Sequence, residues 1–309
     1  MVMKLRSKRN AGIECSIKRS HTKKNIPRWG TVRNYGYRAL DVTKRNFHLL
    51  KLHPGSFKEA ISCTLEEHSI VSEPGYDALS YTWQPIFQKR FIRVGDETGV
   101  YQLRIGRNLW AALFHLRNLE NSRLLWVDAV CIDQNNIQER GHQVALMRHV
   151  YSKATNVTIW LGPEPVLEKP LKSNGKRTKH PAGSLISHDS SELFAKGRKC
   201  TEDGPFLSAI FESKWFTRAW ILQEVVLARN ILVRYGPTQF PWAKLIEATE
   251  VSKLSHSAVE TIESMHLMRD AHSRNYTPSI EEVVYANRHA DCHDERDRFY
   301  SVLSLKSEA

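Results

Sequence analysis

Carboxylates set among apolar residues are the side chains of this chain best placed to do chemistry. Glu224 ends the run WFTRAWILQE at 215–224. A carboxylate there either faces a cleft and stabilises positive charge, or pairs with Arg218 or Arg229 on a helix face. Asp128 interrupts the apolar segment 124–132, and burial demands a partner for it, so it reads first as a structural hydrogen-bonding group. Asp133, Gln134 and Asn135 follow at once. They either receive a ligand or close a turn and cap a helix. His289, Asp291, Cys292, His293 and Asp294 lie close together, but one cysteine without a second spaced pair does not make a zinc site, and no metal is expected. Phosphate-loop, dinucleotide-binding glycine, zinc-protease and serine-hydrolase motifs are all missing. ATP hydrolysis, classical dehydrogenase chemistry and serine hydrolysis are therefore unsupported.

These residues must be positioned by secondary structure, and the hydrophobic spacing predicts which. Segment 76–83 reads as a strand, 92–105 as a hairpin, and Asn108 as the cap of a helix carrying Leu109, Ala112, Leu113 and Leu116. The nearly continuous apolar run 124–132 reads as a strand covered on both faces. A helix with Val144, Met147, Val150, Tyr151 and Ala154 on one stripe follows, then a strand at 157–161. Residues 163–205 read as a long polar insertion. Beyond it come a helix at 215–229, a strand at 231–235 and helices at 242–254, 257–271, 279–289 and 297–305, with a capping box at Ser279 and Glu282. Alternating strands and helices predict an α/β fold with an open, mainly parallel sheet flanked by helices, and a helical C-terminal portion. Ligands of such sheets bind beyond the carboxyl ends of the strands, which here present Tyr81, Trp83, Asp133 and Gln134. Those four are the candidate ligand-binding residues; for Trp83 the competing use is packing.

The formal net charge of +12 is a property of one end. Residues 1–45 carry 13 Lys and Arg against Glu14 and Asp41, whereas the rest is balanced to +1. The first 45 residues therefore read as a basic, disordered arm, and residues 46–309 as the folded domain. A charged tail on a neutral body argues against nucleic acid as a partner. No apolar run approaches the ~18 residues of a membrane span. Five scattered cysteines with no close pair point to reduced thiols and a cytoplasmic location, with mitochondrial or nuclear import as alternatives carried by the arm.

Four blocks, YDALSYTW (76–83), LWVDAVCIDQ (125–134) running on to Trp160 and Gly162, WFTRAWILQE (215–224) and DRFYSVL (297–303), resemble in content and order the fungal heterokaryon-incompatibility (HET) domain. Gln84 stands where that family has glycine, Asp133 where asparagine is common, and the acidic residue expected near Asn136 is absent. More distantly the blocks resemble Toll-type (TIR) domains. The first resemblance implies a role in non-self recognition and programmed cell death, with self-association or another incompatibility protein as partner. The second implies a TIR-like sheet and a catalytic Glu224 that cleaves NAD, the NAD being substrate with no cofactor required. Trp83 would stack on a ring of that substrate. A non-enzymatic module that signals by assembly, or an inactive family member, are the competing readings.

Overall fold

The computed structural model describes residues 33–72, 74–84, 89–162, 204–251, 257–276 and 278–288, together with 290, 291, 301 and 305. Among them nine strands form one sheet: β1 (Asn46–Leu52), β2 (Ser62–Ser69), β3 (Asp77–Tyr81), β4 (Lys89–Asp96), β5 (Gly99–Gly106), β6 (Arg123–Trp126), β7 (Asn156–Trp160), β8 (Ile231–Tyr235) and β9 (Thr238–Pro241). Their order is β5-β4-β2-β1-β6-β3-β7-β8-β9.

The sheet is mixed rather than mainly parallel, which corrects the expectation. Strands β6, β3, β7 and β8 run parallel at its centre, as do β2 and β4. Strand β1 lies antiparallel to both β2 and β6, and β4-β5 and β8-β9 are antiparallel pairs. The alternation of strand and helix read between residues 76 and 235 produces the parallel centre, because helical crossovers return the chain in the same direction. Tight turns after Asp96 and Tyr235 force antiparallel returns instead. Burial follows the same division. β3 and β7 each bury four consecutive residues, so both of their faces are covered, whereas β4 and β5 leave several residues exposed or partly exposed.

Several boundaries also move. The apolar run 124–132 is a strand only to Trp126; one helical turn, Asp128–Cys131, follows. The Asp128 carboxylate accepts from Ala129 N at 2.7 Å, which favours leaving the strand there. Asn108 sits inside the helix Arg107–Leu116 and ties strands instead of capping: its Nδ2 donates to Thr82 O (2.8 Å) and its Oδ1 accepts from Trp160 Nε1 (2.9 Å). The helix expected at 215–229 is a 3-10 turn, Lys214–Thr217, and a separate helix, Ile221–Val226. The helices Trp242–Val251, Ser257–Ser273 and Ile280–Ala286 match their expected positions, and Ser279 with Glu282 forms the capping box.

Residues 1–32 lie outside the described residues, as do all but the last two residues of the 163–205 insertion and most of the helix expected at 297–305. From residue 34 the chain already packs on the body: Tyr35 N donates to Gln102 O at 2.9 Å, Tyr37 Oη to Val130 O at 2.9 Å, and Leu40 is buried. The packed region thus begins before residue 46. Two tyrosines supply apolar area that a count of basic residues overlooks.

Candidate functional site

The register of the central strands builds a notch. β3 pairs with β7 along its whole length, from Asp77↔Asn156 to Tyr81↔Trp160. With β6 it pairs only at Asp77↔Leu125 and Ala78↔Trp126. β6 leaves the sheet while β3 continues for three residues, so Ser80 and Tyr81 project beyond it at the carboxyl ends of the parallel strands. At the opposite end Asp77 binds the three strands together. It accepts from Arg123 Nη2 (2.7 Å) on β6 and from Asn156 Nδ2 (2.7 Å) on β7. Gly162 then ends β7 with φ of 123°, a conformation that a side chain would strain.

A charged cluster fills the notch. Glu224, with its side chain 1% exposed, accepts from Arg218 Nη2 at 3.0 Å and Nη1 at 3.1 Å, and from Ser80 Oγ. Ser80 Oγ in turn accepts from Trp215 Nε1 at 2.7 Å. Burial, followed by the fields of Glu224 and Asp128, raises the Tyr151 phenol well above its ordinary range. Of the two partners open to Glu224 in the sequence, Arg218 is the one used; Arg229 donates to Ser152 O instead. The pair is buried, not displayed on a helix face.

Asp128 stands at the mouth, partly exposed, and joins this cluster to the predicted ligand residues. Its Oδ2 accepts from Trp83 Nε1 at 2.9 Å. Trp83 is 51% exposed, a large aromatic face left to solvent beside a polar cleft. Tyr81 is buried, with its phenol raised well above the ordinary range by burial and then by the field of Asp128. Gln134 reaches the same place from behind, donating to Asp128 O at 2.9 Å. Asp133 does not join them. Its carboxylate closes its own turn by accepting from Asn135 N (3.0 Å), and its N–H donates to Glu139 Oε1. Tyr81, Trp83 and Gln134 thus converge on Asp128, and Asp133 is a turn residue.

Ser80, Trp215 and Tyr151 are site residues that the sequence reading missed. Ser80 had one signal, a hydroxyl inside an apolar strand that must find a partner once buried. Tyr151 lay within a helix stripe and read as core.

Arg218 carries the electrostatics. Its burial opposes its charge, but Glu224 and then Asp128 hold the guanidinium above even its ordinary value. Burial pushes the Asp128 carboxyl up to about 6, with Arg218 opposing and Glu224 adding to the rise. The folded state therefore binds this proton more tightly than the unfolded chain. The stabilisation that this group contributes is fully present below the ordinary aspartate range and is lost as pH rises through about 6. His48, His115 and His272, held below the ordinary imidazole value chiefly by burial, act oppositely, losing stability as pH falls. Because Trp83 hydrogen-bonds this carboxyl, tryptophan emission is expected to titrate with a midpoint near pH 6 that Asp128→Asn abolishes. A midpoint at the ordinary aspartate value, or one that survives the substitution, would contradict this account.

Among the described residues no group of three His, Cys, Asp or Glu is assembled to hold a metal ion, and the His289–Cys292–His293 cluster lies largely outside them. No helix among them is long and apolar enough to cross a membrane.

The sequence pattern of the family described as Heterokaryon incompatibility protein (HET) matches residues 76–224. Over 144 residues the chain is 35% identical to Heterokaryon incompatibility protein 6, OR allele, of Neurospora crassa. That alignment covers 43% of this chain and 21% of the relative, so the chain spans about a fifth of the relative it matches. No solved structure matches the chain. The matched segment opens at Tyr76 and closes at Glu224, and it contains every residue of the cluster described above. Residues 76–224 accordingly carry the sequence pattern of the heterokaryon-incompatibility (HET) domain family.

Proposed function

We propose that this chain acts in fungal non-self recognition leading to programmed cell death, and that Glu224 is the catalytic carboxylate of a TIR-like cleavage of NAD that begins on self-association. The observation that carries the reading is the buried Arg218–Glu224 pair with Asp128 beside it, at the carboxyl ends of parallel strands where ligands of such sheets bind. One guanidinium between two carboxylates leaves the cluster with net negative charge once Asp128 ionises. Such a cluster favours the cationic sugar formed as a pyridinium leaving group departs. In that reaction the bond from ribose C1′ to the pyridinium nitrogen breaks, its electron pair leaves with nicotinamide, and water supplies the oxygen to C1′ and releases a proton. Trp83 supplies the exposed ring on which a substrate ring would stack.

The pairing also sets a condition. Both Glu224 oxygens are engaged and the side chain is out of reach of solvent, so the described form is a resting one. Assembly must draw Arg218 away, for catalysis to begin.

A second reading is favoured by the same satisfied hydrogen bonds: Glu224 is structural and the domain signals by assembly without chemistry, with self or another incompatibility protein as partner. NAD consumption by the purified chain, at concentrations where it self-associates, separates the two. Loss of NAD with the parent and none with a Glu224→Gln variant of unchanged near-ultraviolet circular dichroism is the expected result. Intact NAD in a demonstrably assembled sample would sink the enzymatic reading and leave the assembly module.

A further inference from the structure

A cavity lined by none of the side chains of the Glu224 cluster opens nearby in the fold. It has a volume of about 410 Å³ and opens where the helix Ile221–Val226 ends against the helix Ser257–Ser273. One wall is apolar, made by Val226, Leu227 and Ala228. The other is rich in donors and positive charge, with Arg229, Arg269, His266 and His272 among its residues.

Both arginines are held by backbone carbonyls rather than by carboxylates. Arg229 Nε donates to Ser152 O at 2.9 Å. Arg269 Nη1 donates to Val225 O at 2.8 Å and to Ala228 O, and its Nη2 to Arg229 O at 3.0 Å. Among the described residues neither guanidinium has a carboxylate within ion-pair distance. Asp270, the acidic residue of the lining, is engaged by Arg274 at 2.7 Å. The positive charge on this wall is therefore fixed in place and not neutralised. Burial and then the fields of Arg148 and Arg269 depress the His272 imidazole, consistent with a positive local potential.

Trp242 gives an independent sign of a missing acceptor. It lines the same cavity, is 7% exposed, and its indole N–H is buried with no hydrogen-bond partner among the described residues. A buried donor without an acceptor is destabilising, and a bound oxygen-rich group within its reach removes that penalty.

We infer that this cavity binds a small molecule bearing a phosphate group on an apolar or aromatic body, the class of a nucleoside monophosphate. The guanidiniums and the indole N–H take the phosphate oxygens, and the Val226–Ala228 wall takes the body. A cavity of this volume lies within the usual range for small-ligand sites. None of its residues belongs to the Ser80, Asp128, Arg218 and Glu224 cluster, so the inference stands whether or not NAD is cleaved there.

The test is calorimetric titration of the full chain with AMP, adenosine and inorganic phosphate at constant ionic strength, alongside thermal unfolding. AMP is expected to bind and raise Tm, adenosine to do neither, and inorganic phosphate to bind more weakly than AMP. Arg229→Gln, at an exposed position, gives up the bond to Ser152 O and should change the unliganded Tm only slightly while weakening AMP about tenfold. Trp242→Phe keeps an aromatic ring but removes the donor together with the five-membered half of the indole, and should weaken AMP several-fold. Phosphate binding as tightly as AMP would overturn the nucleotide class. Failure of both AMP and phosphate to bind at millimolar concentration, or AMP binding that Arg229→Gln leaves intact, would overturn the site.

Discussion

Replacing Arg218 by methionine is expected to lower the unfolding free energy by about 3–5 kcal/mol. The reason is not the strength of the ion pair itself. The Glu224 side chain is 1% exposed, and without the guanidinium its charge would remain buried with the Ser80 hydroxyl to hold it. A buried charge left alone costs several kcal/mol, whereas removing both partners together costs far less. The double substitution Arg218→Met with Glu224→Leu should therefore recover much of the loss, a sign reversal that distinguishes stranded charge from lost packing. Urea unfolding followed by circular dichroism measures both variants. A loss under about 1 kcal/mol for the single variant would place the pair in the class of exposed salt bridges and remove the argument for a resting latch.

Trp215→Ala is expected to cost at least as much, about 3–5 kcal/mol for the emptied space. Trp215 is fully buried, packs edge-on to Phe216 at a centroid distance of 5.1 Å, and donates its indole N–H to Ser80. Trp215→Phe keeps one six-membered ring, deletes the donor and leaves a smaller void, so it should cost less than the alanine variant, at roughly 1–3 kcal/mol. Because Ser80 is shared with Glu224 and Arg218, the Trp215 and Arg218 effects should not add. Strict additivity in the double variant would show that the cluster is a set of separate contacts and not one unit.

Both expectations depend on contacts between blocks far apart in the chain, and this marks the limit of what could be read beforehand. Most element types between residues 76 and 162 were legible because apolar spacing differs between strands and helices, and β8 falls at 231–235 as expected, whereas the helix Gly204–Phe211 was not read. Strands β1, β2 and β9 were not read. In β2 most residues are only partly buried, which blurs the alternation that marks a strand. The turn Asp128–Cys131 was concealed for a different reason. Apolar continuity is the same for a buried strand and a buried helical turn, and only the Asp128 side chain accepting from Ala129 N separates them.

The sequence by itself determined the family blocks, the chemical types available to the site, the alternating centre of the fold and the concentration of positive charge in the first 45 residues, because each is written in residue identity and local spacing. Tertiary structure alone decided that the sheet is mixed and that Arg218, not Arg229, pairs with Glu224. It also decided that Asp128, expected to serve structure, stands beside Trp83 at the mouth of the site while Asp133 turns away. Those outcomes follow from strand register and burial. Both are set by contacts between residues up to 144 positions apart, as in the Ser80–Glu224 hydrogen bond, and no local pattern encodes them.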